Sequence, residues 1–156
     1  MTVSTPIARF AAHTRLAALA TLILTTLHHL YEAHHFDMPE RGHHIVVLAA
    51  ISSGALVFAT RTLRRRPESR GAFAVIAAMA LLVVVGVGLF ESAYGHAAKN
   101  AFYLAGASST TIVRLFPPPT WAPPSDVLFE LTGVIQMVPA FVTGYWFYRL
   151  ARAWRG

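Results

Sequence analysis

The sequence predicts an all-α fold, an integral membrane four-helix bundle with both termini on the cytoplasmic side. Three observations carry this expectation. Of 156 residues, 55% are hydrophobic and 13% charged, about half the charged share of a soluble domain. The apolar residues gather into four long runs that do not alternate with polar ones, which excludes barrel strands. The basic residues fall mostly at one end of the helices so defined. The chain reads as a single transmembrane domain, 1–156, with helices over about 10–35, 44–63, 72–104 and 126–152 and a proline-rich outer loop over 105–125.

The first run, Leu16 to Tyr31, is interrupted only by Thr21, Thr25, Thr26, His28 and His29, and hydroxyls in helices bond back to carbonyls one turn earlier. It spans if the helix also takes in Phe10 to Arg15. Arg9 and Arg15 before an apolar stretch resemble the start of a secretory signal. His28-His29-Leu30-Tyr31-Glu32 offers no small-x-small cleavage site, so this helix is expected to be retained. The second run, Ile45 to Leu63, carries Ser52, Ser53 and Gly54, small enough to admit a neighbouring backbone. The third, Ala72 to Phe90, has 19 residues and no charge, close to the roughly 20 that cross the hydrocarbon. Within it, Gly86 and Gly88 are expected to permit tight packing. The fourth, Val127 to Tyr148, holds Glu130 near its start and Pro139 near its middle, where a kink is expected.

Pro39 and Gly42 punctuate the first link, and Ser125 and Asp126 stand where an N-cap should open the fourth helix. The prolines at 117–119, 123 and 124 lack backbone donors, so this stretch is read as an extended cover over the bundle mouth.

Placing both termini and the second link on one side gathers ten of the thirteen basic residues there. With Glu68 as the only acid, that side carries +9, while three cations against six acids leave −3 on the other. The positive-inside rule makes the basic side cytoplasmic and turns the acidic end toward the periplasm or exterior of an inner or plasma membrane. Orientation and anionic lipid heads account for Arg64-Arg65-Arg66, and no nucleic-acid partner is expected.

Without cysteine the chain has no disulfide, iron–sulfur cluster or thiolate chemistry. Its eight histidines are the unusual feature. All but His13 fall toward the acidic end, with Glu32, Glu91 and Glu130 at similar depth. Ionisable groups in a membrane are costly and mark functional sites. His28, Glu32 and His35 form one helical stripe, and Glu32-Ala-His-His35 has the Glu-x-x-His spacing of di-iron carboxylate bundles. No second such pair exists, and Glu91 and His96, five apart, do not share a face of a straight helix. His29 and His34 are expected to point away from the stripe, and one of His43 and His44 to face inward. The paired histidines resemble those of histidine-box membrane hydroxylases and desaturases. The His-x-x-x-His and His-x-x-His-His boxes are absent, however, and that family's histidines face the cytoplasm, so no family is assigned.

The resulting expectation is a metal-dependent membrane oxidoreductase of oxidase or hydroxylase type, acting on an apolar, lipid-soluble small molecule that enters from the bilayer. Iron, copper or zinc, as one ion or two, would be held among His28, Glu32, His35, His43, His44, Glu91, His96 and Glu130. Glu91 and Glu130 are candidate catalytic proton acceptors, and Lys99 and Tyr94 are candidates for cofactor binding, although Lys99 also suits an ion pair with Glu91 or Asp126. One alternative is a b-type haem electron carrier, with His28 or His29 and His96 as axial ligands and Lys99 on a propionate. Another is a non-catalytic metal-handling subunit that docks a membrane partner or a second copy of the chain. Neither a phosphate-binding glycine loop nor a Gly-x-Ser-x-Gly elbow is present.

Overall fold

The computed structural model describes residues 5–117 and 126–156, and every regular element among them is helical. Four helices are long and apolar enough to cross a membrane: Pro6–His35, Pro39–Arg65, Arg70–Leu104 and Val127–Arg155. This is the architecture of a multi-pass membrane protein.

α1 (Pro6–His35) starts with Pro6 preset for a first turn and with Thr5 as N-cap, its hydroxyl accepting from the Ala8 amide. It ends in a tight turn where Asp37 takes the left-handed conformation, φ 55°. α2 (Pro39–Arg65) begins five residues before its expected start, because Pro39 sits at the first helical position and suits it. Ser69 caps α3 (Arg70–Leu81), and Asp126 caps α6 (Val127–Ile135) by accepting from the Phe129 amide at 2.9 Å.

The third span changes character midway. α3 runs into a π-helix, Leu82–Ala98, which returns to α-helix in α4 (Lys99–Leu104). A π-helix bonds each amide to the carbonyl five residues back, as the Lys99 amide does to Tyr94. Residues five apart therefore come round to nearly the same side. Val83, Val87, Gly88, Ser92 and His96 are its buried positions, and the run Val83, Val87, Ser92, His96, at spacings of four, five and four, is one that an α-helix would smear around its circumference. The expectation of a straight helix here is corrected.

The outer loop contains a further short helix, α5 (Ser109–Leu115), and Phe116 is buried beside Tyr94 and Phe102. Most of the proline cover read from the sequence lies outside the described residues. The fourth span is interrupted at Gln136, between α6 and α7 (Met137–Arg155). Pro139 has no amide to give the Ile135 carbonyl, which weakens the helix just there.

α1 is the central element, packed against α2 and α7 along its length. Small residues set the spacing: Ala11, Ala18, Ala59 and Ala140 are buried with Leu56, Leu63, Ile76 and Leu150. A Cβ on Gly88 would stand 2.9 Å from that of Ala140, so the π-helix and α7 meet almost backbone to backbone. Thr14, Thr21, Thr60 and Thr143 hide their hydroxyls on carbonyls four residues back. Outside this core, Leu16, Ile23, Leu27, Val47, Ile51, Phe58 and Leu82 face outward, a continuous apolar coat suited to lipid.

The start of α1, the end of α7 and the α2–α3 link lie at one end. Trp154 stacks on Phe73 and donates to the Pro67 carbonyl at 3.0 Å, while Trp146 stacks on His13 and Arg149 covers Phe10. The histidine–glutamate layer is at the opposite end.

Candidate metal centre

A cavity of about 310 Å³ opens between α1 and the π-helix, lined by His28, His29, Glu32, Glu91, His96 and Lys99 together with Arg41, Phe90 and Phe129. Its donor atoms come in two groups with different hydrogen bonding.

The first group is His28, His29 and Glu91, which offer one ligand atom each, all within 4.8 Å of one another. His28 is 2% exposed, and its Nδ1 lies 2.9 Å from Thr132 Oγ1. The Thr132 hydroxyl already donates to the Leu128 carbonyl at 2.8 Å, so it accepts from His28, and His28 Nδ1 carries the proton. Nε2 of a neutral His28 is then a bare lone pair, buried with no partner among the described residues. His29 holds Glu32 through Nδ1 at 2.8 Å and approaches Glu91 through Nε2 at 3.3 Å. Glu32 is clamped by Arg41 from the start of α2. Glu91 accepts from the Thr25 hydroxyl at 3.2 Å.

The second group centres on Glu130. One carboxylate oxygen takes Lys99 Nζ at 2.8 Å, and the other takes His96 Nδ1 at 2.8 Å and Asn100 Nδ2 at 2.9 Å. Lys99 pairs here and not with Glu91 or Asp126. Three donors already hold Glu130, which orients His96 and is poorly placed to take up a proton from substrate. The His96 ring also packs on Gly133, where a Cβ would collide with it. Phe129 stacks on His28 at 4.4 Å and meets His96 edge-on, and the two imidazoles meet edge to face at 4.9 Å.

Several expected ligands lie elsewhere. His35 is half-exposed, stacked on Tyr31, and reaches Asp126 at 3.4 Å. His43 and His44 are both exposed. The earlier start of α2 turns Gly42 toward α1, where a Cβ would stand 3.3 Å from Leu30, and both histidines rotate outward. α2 contributes Arg41 instead. Tyr94 is also not a cavity residue: its hydroxyl donates to the Leu115 carbonyl and its ring packs between Phe90 and Phe116, so it fastens α5 to the π-helix. His29, expected to point away, is in the cluster, because the wide third helix leaves room for both neighbouring histidines.

Thr25, Arg41, Asn100, Phe129 and Thr132 were not singled out from the sequence. Thr132 had one visible signal, a hydroxyl two residues past Glu130 in an otherwise apolar run. Outside the spans, the Asp126 carboxyl is held below the ordinary aspartate range, first by the Tyr31 hydroxyl and then by the Phe129 amide. Comparison with known families, characterised proteins and solved structures finds no match to this chain. The fold and site thus define it only as a four-span helical bundle with a histidine–glutamate cluster at one end.

Proposed function

We propose that the chain is an integral membrane oxidoreductase that binds one transition-metal ion through His28 Nε2, His29 Nε2 and Glu91, at the outward-facing end of the bundle. The observation that carries this reading is the bare, buried Nε2 of His28, on a residue that clusters with a second imidazole and a carboxylate. Two imidazoles and one carboxylate are the donors of the facial triad that holds non-haem iron(II) with positions left open. Facial ligand atoms around a six-coordinate ion stand about 3.0 Å apart at metal–ligand distances near 2.1 Å, so a cluster whose atoms lie within 4.8 Å of one another must draw inward to close on it.

Each donor is braced from behind: His28 by Thr132, His29 by Glu32 and Arg41, Glu91 by Thr25. Outer partners of this kind fix ring orientation and tautomer. Because Glu130 is already held by Lys99, His96 and Asn100, the geometry favours one ion over two. It also favours a bare ion over haem, since His28 and His96 meet edge to face with no gap between them for a macrocycle. When bound, the ion would supply the one-electron and oxygen chemistry that the side chains lack.

An apolar substrate fits the approach to the cavity. α2 packs on α1 and α3 but makes at most marginal contact with the π-helix. Gly86, Phe90 and Gly95 line the cavity on the π-helix, and Phe90 is exposed. A lipid-soluble molecule reaches the cluster from that side without crossing water. The +9 and −3 ends support cytoplasmic termini and a site facing the periplasm or exterior.

Elemental analysis and an absorption spectrum of the detergent-purified protein test the reading. One equivalent of iron, or of another transition metal, is expected, and it should be lost in His28→Ala and Glu91→Ala while His43→Ala retains it. No stoichiometric metal, or retention by both cluster variants, overturns the site. A Soret band would install the haem carrier in its place, and bound metal without turnover on any apolar reductant would favour the metal-handling subunit.

A further inference from the structure

Beneath the metal cluster lies a second polar layer that the proposed function does not use. Five buried side-chain polar atoms lack a hydrogen-bond partner among the described residues, and three of them are Ser92 Oγ and both amide atoms of Gln136. Each of these two side chains is 0% exposed, and neither lines the cavity. The third and fourth spans run antiparallel, with Gly88 against Ala140, His96 against Gly133 and Lys99 on Glu130. Ser92 falls midway between Gly88 and His96, and Gln136 between their counterparts Ala140 and Gly133. The two therefore stand at the same level, one turn inward of His96 and Thr132.

A buried amide and hydroxyl with nothing to bond are costly anywhere and costlier inside a span, where no bulk water reaches them. The same turn also contains the Ile135 carbonyl, deprived of its helical donor by Pro139. Serine and glutamine side chains each both donate and accept. A partner that serves them in so tight a place must do both and be very small.

We propose that Ser92 and Gln136 hold an internal water molecule between the π-helix and the fourth span. Ser92 Oγ, Gln136 Oε1 and Gln136 Nε2 supply the two to four polar partners that a buried water requires. The water extends inward the polar column that begins with Lys99, Glu130 and His96, and gives the outer cluster a proton-exchanging group shielded from the outer solution. This inference does not depend on metal binding, and a metal-free protein leaves it standing.

The test uses Ser92→Ala, Gln136→Leu and the double variant in the full, detergent-purified chain. With a bridging water, each single variant strands the remaining groups and lowers Tm by roughly 2–6 °C, and the double variant falls no further than the worse single one. Single variants that raise Tm, as removal of unpartnered polar groups would, or losses that simply add, overturn the proposal. Infrared spectroscopy of Gln136→Glu gives an independent reading. A carboxyl that is ionised, or whose carbonyl band sits at the hydrogen-bonded position and shifts in D2O, supports the water; a band at the unbonded position, unmoved by D2O, overturns it.

Discussion

His28 owes its chemistry to a threonine 104 residues away. Because the Thr132 hydroxyl is spent on the Leu128 carbonyl, it can only accept from His28, and that fixes which imidazole nitrogen is free. Thr132→Val keeps the shape and removes the acceptor. Metal affinity should then fall about 10- to 100-fold, read by competition with a chromophoric chelator, with the helical content unchanged. An unaltered affinity would mean that Thr132 does not set the tautomer. Lys99 poses the opposite problem, a buried cation facing a buried carboxylate at 2.8 Å. Lys99→Met leaves Glu130 with an uncompensated charge and should cost about 3–5 kcal/mol in thermal unfolding. Lys99→Met with Glu130→Gln should recover much of that loss, since the neutral amide removes the uncompensated charge while its oxygen still accepts from His96 and Asn100. At this scale the sequence showed which residue types were unusual for a membrane interior, and it ranked His28, Glu91, His96 and Glu130 among the candidates. The partners that decide their roles come from other spans and were not legible.

The π-helix is the element that assembles the site. An α-helical third span would put Glu91 and His96 on different faces, although the sequence reading placed both among the candidate ligands. Nothing in Leu82–Ala98 specifies a wider helix by itself, although Gly86, Gly88 and Gly95 ease it. Its register is held from outside, by His29 and Thr25 on Glu91 and by Glu130 on His96 and Lys99. The start of α6 was better legible, from Asp126, whereas Pro39 was read as punctuation of the link, and the shift from His43 to Arg41 depended on which side of α2 met α1. The Asp126 cap also ties α6 to α1 through Tyr31, at 2.6 Å. Its depressed carboxyl makes the tie complete above the ordinary aspartate value of 3.8 and lost as pH falls through the lowered folded value. The Tm gap between the protein and Asp126→Asn should therefore be constant near neutrality and close progressively below pH 3.8. A gap that persists undiminished in acid would show that the cap does not need the charge.

For the whole molecule the governing fact is the separation of a basic end, with both termini, from an end that holds the histidines and acids. The chain has no cysteine, so single substitutions report sidedness without background. Glu68→Cys should react with an impermeant maleimide only from the cytoplasmic side, and Ala107→Cys only from the opposite side. The reverse pattern would turn the cluster toward the cytoplasm and reject the proposed orientation. The sequence by itself determined the four long helices and their order, because runs of apolar side chains and Pro, Ser and Asp at helix starts act locally and are read along the chain. It also determined the sorting of charge, which requires only knowing where each helix ends. Tertiary structure alone decided which histidines converge, that Arg41 and not a histidine comes from α2, and that the third span widens near the cluster. Those outcomes depend on how each helix is rotated about its axis, and rotation is set by packing against the other helices: Gly42 on Leu30, Gly88 on Ala140 and Gly133 on His96.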